Sequence, residues 1–104
     1  MEKEQLPLIN DDAAVEELYQ LRLYVTGASP NSVRAIANLK NICETYLKDR
    51  YTLQIIDVYQ QPGLAKAEQI VALPLLVRTM PLPERKLIGD LSEKEKVLKS
   101  LGLK

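Results

Sequence analysis

The 104-residue chain has no histidine, tryptophan or phenylalanine, and a single cysteine. Without histidine there is no Ser-His-Asp or Cys-His relay and no imidazole metal ligand. One cysteine makes no intramolecular disulfide, no Cys-x-x-Cys redox pair and no cysteine zinc site. Carboxylate-only acid–base chemistry survives these exclusions. An excess of either charge is also missing: 14 basic and 14 acidic residues cancel. That balance gives no electrostatic push toward nucleic acid or an anionic membrane. No apolar run approaches the roughly 20 residues of a membrane helix. Met1 to Gln20 is polar and acidic, unlike a signal or transit peptide. The expectation is one soluble, cytoplasmic domain with 46% hydrophobic residues to build its core.

Residues 1–17 read as an N-terminal extension, with a short helix over Asp12 to Leu18 about as expected as disorder. The domain proper spans 18–104. Leu21, Leu23 and Val25 alternate with Arg22, Tyr24 and Thr26, which predicts a strand ended by Gly27. Ser29 as cap and Pro30 at the first helical position open a helix to about Lys48. Its stripe is Ile36, Leu39, Cys43 and Leu47, flanked by Val33 and Tyr46. A strand over Tyr51 to Tyr59 puts Leu53 and Ile55 on one face and Ile56 and Val58 on the other. This strand–helix–strand unit predicts parallel pairing. Pro62 to Ala72 reads as a short helix with Leu64, Ala67 and Val71 inward. Leu75 to Met80 and Arg85 to Ile88 read as an antiparallel hairpin broken by Pro81-Leu82-Pro83. Ser92 and Glu95 suggest a capping box opening a last helix with Val97, Leu98 and Leu101 inward and Gly102 as stop. The sum is an α/β fold: a mixed four-stranded sheet of thioredoxin-like order 2-1-3-4, with helices on both faces.

Few positions point to chemistry. In a thioredoxin the loop Gly27-Ala28-Ser29-Pro30-Asn31-Ser32 would carry the cysteine pair, and here Ser29 and Ser32 replace sulfur. A capped helix is favoured over an anion site there. Cys43 reads as a small core hydrophobe. Asp57 reads as a strand-end or paired carboxylate and Asp90 as a turn carboxylate. Arg34, Arg78, Arg85 and Lys86 are candidates for a basic face. Pro74, Pro81 and Pro83 either shape turns or separate two packings. Tyr51-Thr52-Leu53-Gln54 lies at a predicted sheet edge without charge or proline. A partner strand, a loop or a second subunit would cover it.

The blocks Leu21-Arg22-Leu23-Tyr24-Val25-Thr26-Gly27, Pro30-Asn31-Ser32-Val33-Arg34-Ala35, Ile55-Ile56-Asp57-Val58 and Ile88-Gly89-Asp90-Leu91-Ser92 together resemble the KaiB family of circadian clock proteins. Leu73-Pro74, Pro81-x-Pro83 and Glu95-Lys96-Val97-Leu98 fit it too, so the resemblance covers about residues 19 to 103. It implies a non-enzymatic regulator, without cofactor, that binds the hexameric ATPase KaiC and, in cyanobacteria, sequesters KaiA. It also implies a metamorphic chain. A thioredoxin-like monomer binds KaiC, and a refolded C-terminal half forms homodimers and homotetramers. By the resemblance, Tyr51, Thr52 and Gln54 correspond to the KaiA-facing edge, and Lys66, Glu68 and Gln69 to the KaiC-facing side. Arg34, Arg78 and Arg85 match basic positions for partner or oligomer contacts. Pro74 matches the proline before the third strand, usually cis in thioredoxin-like folds. Pro81, Pro83, Gly89, Asp90, Ser100 and Gly102 are the other candidate fold-switch positions. The chain departs from the family in ending at Lys104 without an acidic tail, in Leu82 within the triple-proline turn, and in Ser100 and Gly102 where Gly and Asp are common. Its acidic N-terminal extension is another departure. The competing expectations are a thioredoxin-like redox protein and a detached sensor module for a clock histidine kinase.

Overall fold

Alternation builds β1, Tyr19–Val25. Leu21, Leu23 and Val25 are buried on one face, while Gln20, Arg22 and Tyr24 take the other. The computed structural model describes residues 17–70 and 72–103. The expected extension over 1–17 and its alternative helix therefore lie outside the described residues, except at Glu17 and Leu18. The expected inward Val71 also lies outside them. The strand starts two residues earlier than the alternation suggests, because the Tyr19 N–H finds the Arg50 carbonyl at 2.8 Å. Gly27, at φ +52°, turns the chain into α1, Pro30–Tyr46. The helix stops short of Lys48, with Leu47 as its C-cap and Asp49 at a positive φ of 64°. β2, Tyr51–Asp57, pairs with β1 in parallel, Tyr19 opposite Tyr51 and Val25 opposite Asp57. It ends before Tyr59 because the Asp57 carbonyl accepts the N–H groups of Gln60 and Gln61, at 3.0 and 2.9 Å, in a turn.

α2, Pro62–Glu68, is followed by β3, Leu75–Met80, β4, Arg85–Ile88, and α3, Lys94–Leu101. β3 runs antiparallel to both β1 and β4. The sheet order is β2-β1-β3-β4, as the pattern predicts. Three local expectations need correction. α2 ends at Glu68 rather than Ala72, since Gln69 adopts a left-handed φ of 56°. It buries no residue fully, and Leu64 and Ala67 face outward. Ser92 does not cap α3: its N–H is held by Asp90 Oδ1 at 3.1 Å, and Glu93 occupies the cap position without a side-chain bond. Val33 on α1 is exposed, and Ala35 and Ile42 join the buried stripe instead.

The sheet has two unequal faces. Leu21, Leu23, Val25 and Leu76 pack against Ala35, Leu39, Ile42 and Cys43 of α1 and Val97, Leu98 and Leu101 of α3. Fully burying each such aliphatic side chain contributes roughly 1.5–3 kcal/mol. On the opposite face Tyr24, Ile56, Leu75 and Val77 form a smaller cluster, flanked by Val58, Ile70 and Leu73. Helices thus lie on both faces, with α2 and the segment after it on the thinner side. No helix among the described residues is long and apolar enough to cross a membrane.

Candidate partner-binding site

Among the described residues β2 is an edge strand, and its outward backbone groups have no neighbouring strand there. Thr52 and Gln54 are exposed there, and Leu53 and Ile55 pack against the main core. Tyr51 anchors the strand's start, its hydroxyl donating to Glu44 Oε2 at 2.6 Å. That bond, reinforced by burial, pushes the phenol up to about 12. Tyr51, Thr52 and Gln54 therefore share one edge, and residues 51–54 carry none of the charges and prolines that usually protect an edge.

Lys66, Glu68 and Gln69 sit together on and just after α2. Lys66 and Gln69 are exposed. Glu68 turns back to the sheet, pairing with Lys86 Nζ at 2.9 Å. The Glu68 carboxylate thereby holds the Lys86 ammonium above its usual range, by hydrogen bonding first and charge second. Beside α2 lies an open, largely apolar cavity of about 400 Å³ lined by Val58, Ala65, Lys66, Gln69, Ile70 and Leu73.

Arg78 has a different environment from the other basic candidates. Only 6% exposed, it donates from Nη1 to the Leu101 carbonyl at 2.9 Å and from Nη2 to the Pro83 carbonyl at 2.6 Å. It thus ties the end of α3 to the β3–β4 turn. Gly102 sits against it at φ +77°, where an added Cβ would lie 3.0 Å from Arg78 Nη1. Arg78, Pro83 and Gly102 form one brace. The peptide bonds preceding Pro74, Pro81 and Pro83 are cis.

Arg34 and Asp90 make a second tether. Arg34 Nε donates to Asp90 Oδ2 at 3.2 Å and its Nη2 donates to Asn31 Oδ1. Asn38 Nδ2 holds the Asp90 carbonyl at 2.9 Å. Hydrogen bonds from Ser92, then the Arg34 guanidinium, keep the Asp90 carboxyl below the usual carboxylate range. Gly89, at φ +128°, precedes it in the turn, and Ser100 is half-buried on α3. The four basic candidates do not make a common face. Arg34 is on α1, Arg78 is internal, and Arg85 and Lys86 point to opposite faces of β4.

The loop before α1 is closed on itself. Ser29 Oγ accepts the Ser32 N–H at 3.3 Å and donates to Ser32 Oγ at 2.9 Å. Ser32 Oγ also accepts the Thr26 N–H at 3.0 Å. These bonds make a helix cap of the residues standing at the sulfur positions of a thioredoxin. Cys43 is fully buried, and burial pushes its thiol up to about 12, so it carries negligible thiolate. Asp57 accepts the Tyr59 N–H at 2.9 Å in a turn. Among the described residues no group of three or more His, Cys, Asp and Glu side chains is placed to hold a metal ion.

The family model described as the KaiB domain matches residues 22–103, nearly all of this architecture. The chain belongs to the KaiB family. It is 53% identical to the circadian clock oscillator protein KaiB of a Picosynechococcus species, over 86% of each chain. It is 52% identical to that of Synechococcus elongatus, covering 82% of this chain and 83% of the relative. Among solved structures, the N-terminal domain of Synechococcus elongatus SasA superposes with a TM-score of 0.67 at 26% identity. That match covers 92% of this chain and 94% of the SasA domain. Mitochondrial thioredoxin 3 of Saccharomyces cerevisiae gives a TM-score of 0.67 at 16% identity, covering 84% of this chain and 79% of its own, a likeness of fold alone. The KaiB-family chain is thus a clock-protein relative on a thioredoxin-like frame.

Two features of this KaiB-family chain escaped the sequence reading. Arg22 stands on the thin face of the sheet, in register with Gln54 and Val77 and without an ion-pair partner among the described residues. Tyr24, which alternates with the apolar residues of β1, is fully buried there with its hydroxyl unpartnered among the described residues. Strand alternation placed both on the second face, but did not show which part of that face would be covered.

Proposed function

We propose that this chain is a non-enzymatic regulatory adapter that binds a KaiC-type hexameric ATPase and modulates a circadian rhythm or a stress-related signalling output. The observation that carries the reading is the KaiB domain match over 22–103, coupled to relatives about half identical over most of their length. Support also comes from Ser29 and Ser32 in the loop where redox chemistry would reside. In this reading Lys66, Glu68 and Gln69 face the ATPase. Tyr51, Thr52 and Gln54 offer the strand edge to a second partner such as KaiA. Arg34 and Arg85 serve further partner or oligomer contacts. Cytoplasmic action and a homodimeric or homotetrameric resting form belong to the same proposal. Residues 62–103 then take a second packing, with Pro74, Pro81, Pro83, Gly89, Asp90, Ser100 and Gly102 as its pivots and Arg78 as the brace released. A few kcal/mol between packings is enough for a partner to shift their populations.

Pull-down of the full chain with a KaiC-type ATPase, in several nucleotide states, tests the adapter. Retention in at least one state is expected, and absence from all overturns it. A second reading, a detached module like the SasA N-terminal domain, has in its favour the 26% identity and near-complete coverage of that domain. A neighbouring gene for a KaiC-like ATPase selects the first reading.

A further inference from the structure

The thin face of the sheet is divided along its length. At one end Ile56, Tyr24 and Leu75 lie side by side and are covered. At the other, Thr52, Gln20, Gln54, Arg22 and Thr79 leave an open polar cavity of about 250 Å³. Among the described residues no carboxylate lines it. Lys86 lies on the same face, across Val77 from Arg22, and is neutralised by Glu68. Arg22 is half-buried and has no such partner among the described residues. A guanidinium held on a sheet among amides and hydroxyls is a fork for an oxyanion, best met by a planar carboxylate.

We infer that this cavity receives an acidic side chain from an extended partner segment paired on the β2 edge. The inference rests on the strand-edge reading above and adds the partner's chemistry. A strand added to β2 lies about 4.8 Å from it, hence about 10 Å from β1. An arginine and a glutamate reaching toward each other over Gln54 span that gap. The added strand follows the alternation of β2 itself. Its side chains beside Leu53 and Ile55 are apolar, and those beside Thr52 and Gln54 include the acid. The preferred segment therefore alternates acidic and apolar residues, with the acids on the Arg22 face.

The probes are a blocked extended peptide alternating valine and glutamate and its isostere alternating valine and glutamine, titrated into the 15N-labelled full chain. Both peptides are expected to shift the backbone amides of β2. The glutamate peptide should bind about tenfold tighter and also shift the Arg22 Nε–H. Arg22→Gln should erase the difference between the peptides, and Arg22→Lys should restore part of it. A well-dispersed spectrum of each variant establishes that it is folded. Equal binding of the two peptides to β2 overturns the acidic recognition and leaves the edge reading intact. No shift of the β2 amides with either peptide overturns both.

Discussion

The two halves of the chain are held together by different means. In the β1–α1–β2 half, a continuous parallel ladder is sealed by Leu23, Leu39 and Leu47, all with no exposed surface. After Asp57 the apolar contribution is less continuous. α2 buries no residue fully, and discrete polar tethers supplement the burial of β3 and α3: Glu68 to Lys86, Arg34 to Asp90, and Arg78 to Pro83 and Leu101. Close-packed apolar surface is stable against single losses of polar contacts, while a tether fails when one atom moves. From this difference the second half is expected to open locally at a lower free energy than the first, which the following variants test.

Leu39→Ala should produce the largest effect, by opening a cavity in the first half: about 2–5 kcal/mol less stability. The urea midpoint measures it, and a loss under about 1 kcal/mol would mean the first half is not the rigid part. Arg78→Ala comes next. Two charge-assisted bonds disappear and two carbonyls lose their donors, at a cost of about 3 kcal/mol. Amide exchange should speed up at β3, the β3–β4 turn and α3 while the first half stays protected. Uniform loss of protection would contradict the comparison. Gly102→Ala acts on the same brace, through its positive φ and the 3.0 Å approach to Arg78. About 1–2 kcal/mol of destabilisation is expected, confined by the same exchange pattern.

The remaining effects are smaller and depend on pH. Asp90 is depressed below its ordinary 3.8, so its folded form binds its proton less readily than the unfolded chain. Its stabilisation is present above the unfolded value and disappears as pH falls through the folded one. Wild-type protein should therefore lose stability more steeply below pH 3.8 than Asp90→Asn, as read from urea midpoints. Parallel curves would remove the tether's role. Lys86 is raised, so its contribution is present below the unfolded value of 10.5 and vanishes as pH rises through the folded one. Glu68→Gln should leave the global midpoint nearly unchanged and increase exchange in α2 alone.

Local patterns were legible to the extent that physics acts locally. Alternation identified β1, and Ser29-Pro30 identified the start of α1, because one face or one cap decides each; β3 and β4 were legible as a hairpin around Pro81-Leu82-Pro83. The edge position of Thr52 and Gln54 followed from strand order. The spacing of Leu64, Ala67 and Val71 continued α2 beyond Glu68, but Gln69 leaves the helix by a left-handed turn. Ser92 and Glu95 had the spacing of a capping box, yet Asp90 claimed the Ser92 N–H first. The internal position of Arg78 was not legible because its partners include a carbonyl 23 residues away. The Arg34–Asp90 pair likewise joins residues 56 apart. Such tethers depend on tertiary placement, which no short-range pattern encodes.

The hydrogen bond between Ser29 and Ser32 has one more consequence. A dithiol at this turn would exist in two covalent states, and their ratio would follow the electron supply of the surroundings. Two hydroxyls at 2.9 Å have a single covalent state, re-forming their bond after every thermal opening without a donor or acceptor of electrons. With the lone Cys43 held as a buried thiol, the fold gives no purchase to thiol–disulfide exchange. A shift in glutathione poise that rewrites an ordinary thioredoxin passes this loop unread.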